Sequence, residues 1–139
     1  MEKMQEEKRN IVSTVGKWAP VVLMAWVIPG AGHFAQGRRV RGGLLAGAVM
    51  ISFAVGLLMH GYLFEPQSGD LFTTLIYTGG HIANLAAGLP YMLAKWFGYM
   101  EPDRAGHVYD YGTKFLVAAG LMNILAVVDA FEIAIGKKN

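Results

Sequence analysis

The sequence predicts an all-α integral membrane protein with three or four transmembrane helices and a first hydrophobic segment broken by proline and glycine. Three observations predict it. Hydrophobic residues fill 54% of the 139 positions and charged residues only 16%, with a mean hydropathy of +0.37. The charges gather in four places: the first 17 residues, Arg38 to Arg41, Lys95 to Lys114, and the tail. Between them lie apolar runs at 18–35, 43–62, 71–97 and 115–135, each near or above the roughly 20 residues a helix needs to cross hydrocarbon.

The chain reads as a single helical membrane domain over 1–139, opening with a polar segment at 1–17. Glu2, Glu6 and Glu7 alternate there with Lys3, Lys8 and Arg9, a spacing that suits a short surface helix. A signal peptide is not expected: the leading region is long and acidic, and a cut after Ala35 would place His33 where a small residue belongs. The first run carries no charge but is interrupted by Pro29, Gly30 and Gly32. A helix broken in hydrocarbon exposes backbone groups that protein must cover. Helix is therefore expected over 21–28, then a tight turn, then a short piece bearing His33 and Phe34.

The second run reads as one uninterrupted span between Arg41 and Glu65-Pro66, with Gly43 and Gly47 offering a face for close helix approach. The third run holds Thr73, Thr74, Tyr77, Gly79, Gly80, His81 and Asn84, a polar content that favours a place inside the bundle. A polar loop with Glu101, Pro102 and Asp103 follows. The fourth run carries Asn123, Asp129 and Glu132 and stops at Gly136-Lys137-Lys138, a glycine stop with cations suited to a helix C-terminus. Beyond recurring glycines, no internal repeat is visible.

Cytoplasmic loops carry excess Lys and Arg. If all four runs cross, six fall on each side; if the first dips in and returns, the split is ten to two. Both topologies place the end of the fourth run beside the start of the third and opposite Arg38, Arg39 and Arg41. That placement allows a His81–Asp129 contact and denies Asp129 to the arginines, which are expected to meet Glu101, Asp103, Asp110 or lipid phosphates.

The apolar run closing on Pro29-Gly30-Ala31-Gly32-His33-Phe34, then Gly37, basic residues and Gly42, resembles the glycine-rich turn of the two-transmembrane-helix domain family and related small bacterial membrane proteins. The resemblance covers Trp18 to about Ala54, and more weakly Leu121 to Phe131. It implies a helical membrane module, in a bacterial inner membrane, with no settled activity. Ala35 departs from the aromatic that relatives often carry, and the third run intervenes before the Asp129 segment.

No enzyme is expected. No Gly-x-Ser-x-Gly elbow, His-Glu-x-x-His or phosphate loop is present, and Ser52 and Ser68 have no base beside them. Without cysteine no thiolate site or disulfide exists, and a net charge of +2 gives no reason to expect nucleic acid. The candidate residues form four groups: an intramembrane polar cluster of His81, Asn84, Asn123 and Asp129; the broken-helix turn of Pro29, Gly30, Gly32 and His33; the headgroup anchor Arg38, Arg39 and Arg41; and the packing glycines Gly43 and Gly47. His33 reads as a partner for carbonyls freed by the turn, or as a ligand to a headgroup or cofactor. These readings point first to a structural or accessory subunit that packs against itself or a larger complex in the bilayer. A proton or solute conduit through His81 and Asp129 is the alternative. A subunit binding haem or a chlorophyll-type macrocycle through His60 and His81 is the third; the sequence names no cofactor.

Overall fold

The computed structural model describes residues 1–99 and 106–138; Glu101 and Asp103, expected near the arginines, lie outside them. Among the described residues every regular element is an α-helix: α1 (Glu2–Val27), α2 (Ala31–Ala35), α3 (Arg39–Leu58), α4 (Leu71–Ala86), α5 (Leu89–Trp96) and α6 (Val108–Ala134). Three of them, α1, α3 and α6, are long and apolar enough to cross a membrane.

The polar N-terminal segment is the first part of α1 rather than a separate surface helix, since nothing between Lys17 and Trp18 interrupts the backbone hydrogen bonding. The helix stops where Pro29 drives the residue before it out of helical geometry. Ile28 is extended (φ −117°, ψ 110°) and Gly30 turns the chain at φ 81°. The expected turn is therefore present, with α2 as the short piece carrying His33 and Phe34.

Helix α3 begins and ends four residues before the limits of the 43–62 run. Its start includes Arg39 and Arg41, because the Gly42 amide already bonds the Arg38 carbonyl at 2.9 Å. Its end is a Schellman closure: the Gly61 amide reaches the Gly56 carbonyl at 2.9 Å, with His60 in the left-handed region at φ 55°. The same closure ends α2 at Gly37, α5 at Gly98 and α6 at Gly136, the last where the sequence placed its glycine stop.

The 71–97 run is not one span. Gly88, at φ 77° and ψ −130°, breaks it in a region open only to glycine, and Pro90 in the first turn of α5 sets the new direction. The last run likewise extends further than its apolar part, since α6 starts seven residues earlier, at Val108.

Helices α3 and α6 pack antiparallel along their lengths. Arg41 meets Asp129 at one end; at the other, a Cβ built on Gly56 would lie 2.6 Å from Leu116 Cγ. Helix α1 also runs antiparallel to α6, with Trp18 edge-on to Phe131 at 5.2 Å and the Trp26 carbonyl at Asn123. Helix α4 runs parallel to α6, with Ala83 against Gly120 and the Ala86 carbonyl at Asn123. Helix α5 then returns, and the Tyr99 hydroxyl beyond it donates to the Gly61 carbonyl at 2.8 Å. Val49, Phe53, Leu63, Ala87, Tyr91, Ala94, Leu116 and Ala119 form the core between α3, α4, α5 and α6.

The packing glycines differ from those expected. Gly43 is exposed, and a Cβ on Gly47 would meet nothing within 4 Å. The close approaches are instead at Gly42, Gly56, Gly112 and Gly120. One helical position separates Gly42 from Gly43, so a stripe chosen by spacing alone falls about 100° round the helix from the true contact.

Candidate functional site

Among the described residues, two polar constellations lie inside the bundle. The first forms where α2, the start of α3 and the end of α6 converge. His33 is fully buried, and its Nε2 lies 2.8 Å from Asp129 Oδ2. Because a carboxylate only accepts, Nε2 carries the proton. Arg41 and Lys138 donate to Asp129 Oδ1 at 2.8 and 2.9 Å, and Lys138 also reaches Glu132 at 3.1 Å. Gln36 completes the joint, donating to the Gly32 and Ala130 carbonyls, each at 3.1 Å. The carboxylates of Asp129 and Glu132 raise the pKa of the exposed Lys138 ammonium above its ordinary value.

This arrangement overturns the expected geometry. Asp129 meets Arg41 and not His81, because Gly88 turns the third run back before it crosses. The end of α6 therefore lies with the α2–α3 turn rather than with the start of α4. Arg38 is half-buried at the N-cap of α3 and Arg39 is exposed; neither side chain has a partner among the described residues.

The second constellation is the junction of two helix ends. Asn123 is fully buried on α6, and its Nδ2 donates to the Trp26 carbonyl at 3.1 Å and the Ala86 carbonyl at 2.8 Å. The last carbonyls of a helix have no partner of their own, so one amide serves the C-terminal ends of α1 and α4 together. The Trp26 indole adds a third link, donating to the Leu85 carbonyl at 2.9 Å. Gly88 makes this approach possible: a Cβ there would lie 2.0 Å from the Trp26 carbonyl oxygen.

The remaining candidates lie elsewhere. His81 Nδ1 donates to the Phe64 carbonyl at 2.9 Å, and its ring lies edge-on to Tyr91. Ala83 faces Gly120 and Ala86 faces Asn123, which sets His81 about eleven residues, or roughly 16 Å, from the level of Asp129. His81 and Asp129 therefore do not form one cluster. Asn84 is fully buried and both its amide atoms lack partners, as do Asn123 Oδ1 and His33 Nδ1. His60 is exposed on the turn after α3. Among the described residues no group of three or more His, Cys, Asp or Glu side chains is placed to hold a metal.

In the segment before α4, the Glu65 carboxylate accepts from Lys95 of α5, which holds its pKa below the ordinary value. Asp70, at the N-cap of α4, is lowered by the Thr73 hydroxyl. A carboxylate depressed by folding stabilises the fold above its unfolded pKa and loses that contribution as pH falls through the folded one. Acidification below the usual carboxylate range is thus expected to release Glu65 from Lys95 of α5, visible as faster amide exchange around residue 65, while the neighbouring residues stay held by the Tyr99–Gly61 and His81–Phe64 hydrogen bonds. The variant Lys95→Met should show that faster exchange already at neutral pH.

Sequence reasoning missed Trp26, Gln36, Gly88 and the contacts of Arg41 and Lys138 with Asp129. A signal for Gly88 was present: Gly-Leu-Pro at 88–90 repeats, in another order, the Pro-Gly of the first break. No curated protein and no solved structure matches the chain. Residues 20–139 match a family of unknown function, DUF6677; the match takes in both junctions and every helix but the polar start of α1, and the chain belongs to that family.

Proposed function

We propose that this chain is a non-enzymatic integral membrane protein with a structural or accessory role, packing against itself or against a larger membrane complex. One observation supports the reading: the interior polar side chains best placed for chemistry are engaged in hydrogen bonds that tie helices to one another or to the segment before α4. Asn123 serves the ends of α1 and α4, Asp129 is held by His33, Arg41 and Lys138, and His81 is bonded to a backbone carbonyl. The polar groups are spread over separate levels of the bundle, which favours scaffolding over a relay. The apolar outer face of α4, with Leu71, Phe72, Leu75, Ile76 and Ile82 exposed, is available to lipid or to a neighbouring subunit.

The conduit reading keeps one specific support, the buried and unpartnered amide of Asn84. Asp129→Ala separates the two. It leaves the buried His33 ring N–H without its acceptor, a loss of about 1–3 kcal/mol for an unsatisfied buried donor. A scaffold should lose assembly, measured as the mass and composition of what mild detergent extracts, while Asp129→Asn retains more of it. A conduit should instead assemble with Asp129→Asn and lose proton or solute flux in proteoliposomes. Flux from the wild-type protein, abolished in a correctly assembled Asp129→Asn variant, would overturn the scaffold reading.

A further inference from the structure

We infer that the chain enters the membrane as an inverted pair of units, each a re-entrant hairpin followed by one complete span, with both chain ends on the cytoplasmic face. Helices α1, α2 and α3 form one unit and α4, α5 and α6 the other. Each contains a helix, a glycine at positive φ (Gly30, Gly88), a short returning helix, a second glycine at positive φ (Gly37, Gly98) and a long helix. The second unit points the opposite way, since α1 and α3 run antiparallel to α6 while α4 runs parallel to it.

Depth follows from the contacts along α6. The stretch from Tyr111 to Phe131 measures about 30 Å at 1.5 Å per residue, the thickness of a hydrocarbon core. Trp18 lies at the level of Phe131 and Trp26 at that of Asn123, so the first hairpin descends about 12 Å. The Gly30 turn then sends the chain back, with His33 level with Asp129. From the opposite face α4 rises to the same Asn123, and α5 carries the chain down towards Gly61. Neither hairpin crosses alone; stacked tip to tip they fill the thickness that α3 and α6 span. Asn123 and the Trp26 indole satisfy the helix ends that such an arrangement buries, as hydrocarbon requires.

The orientation follows from charge. The face formed by the start of α1, the α2–α3 turn and the end of α6 carries Lys3, Lys8, Arg9, Lys17, Arg38, Arg39, Arg41, Lys137 and Lys138. Among the described residues the other face carries only Lys95 and Lys114, and Lys95 is neutralised by Glu65. The cationic face belongs against the anionic cytoplasmic leaflet.

The absence of cysteine makes the test direct. Four single variants, Ser13→Cys, Ser68→Cys, Gly106→Cys and Lys137→Cys, all at exposed positions, are labelled with a membrane-impermeant maleimide in sealed right-side-out and inside-out vesicles. The variants at 13 and 137 should react only in inside-out vesicles, and those at 68 and 106 only in right-side-out ones. Reaction of 13 and 137 from opposite faces would mean that α1 crosses completely; opposite faces for 68 and 106 would mean that α4 and α5 together cross. Either result overturns the paired-hairpin topology, and a uniform reversal of sides overturns the orientation.

Discussion

Gly120→Ala is expected to prevent α4 from docking on α6. A Cβ at this position would lie 1.7 Å from the carbonyl oxygen of Ala83 and 2.7 Å from its carbonyl carbon. Both are backbone atoms, so no rotamer change makes room; the helices must separate. Overpacking commonly costs about 1–3 kcal/mol, and a clash between two backbones belongs at or above the top of that range. Separation would also pull Ala86 from Asn123, one turn along α6, so the loss spreads to the junction. The measurement is the thermal midpoint and the fraction of monodisperse protein in detergent. Gly47→Ala is the control: its Cβ meets nothing within 4 Å, and alanine's better helix propensity, about 1 kcal/mol over glycine, should leave stability unchanged or slightly raised.

The second large effect is expected at Asn123. Asn123→Leu conserves volume but removes the donor shared by the Trp26 and Ala86 carbonyls. An acceptor left unsatisfied in a buried site costs about 1–3 kcal/mol, although polar contacts between membrane helices average nearer 0.6 kcal/mol. With two helix ends depending on one amide, a loss of about 2 kcal/mol is expected. Asn123→Asp should be worse, despite its near-identical shape, because a carboxylate would face two carbonyl oxygens. A thermal midpoint ordered wild type, Leu, Asp from highest to lowest is the expected result; equal midpoints for wild type and Asp would mean that the amide does not cap both helices.

How much of this was legible in the sequence can be traced residue by residue. The broken first run was readable because Pro29 and Gly30 act locally: one fixes the conformation of its neighbour and the other supplies a positive φ. The stop at Gly136 was readable for the same reason. Gly88 carries an equal signal, but it sits in a run, 71–97, whose length alone satisfies a full crossing. A full crossing there reverses the side of every later element and so pairs Asp129 with His81 in place of His33 and Arg41. The ten-to-two charge split already favoured a first run that turns back, yet counting cannot reveal a second hairpin. The role of Asn123 was not legible, because its partners are backbone carbonyls of helices 97 and 37 residues away in sequence. Spacing likewise marked glycines on α3 but not the face they use, which is set by where α2 and α6 lie.

The depth of Trp26 tests most directly whether α1 ends in the middle of the membrane, as the paired-hairpin arrangement requires, and not at its far face. With Trp18→Phe and Trp96→Phe, Trp26 becomes the only tryptophan in the chain, and its fluorescence can be quenched by lipids brominated at chosen depths along the acyl chain. If the hairpin stops at Asn123, emission should be blue-shifted and quenched most by bromines deep in the chain. If α1, which ends at Val27, instead spans the whole core by itself, Trp26 would sit near the far interface; strongest quenching close to the headgroups would contradict the account.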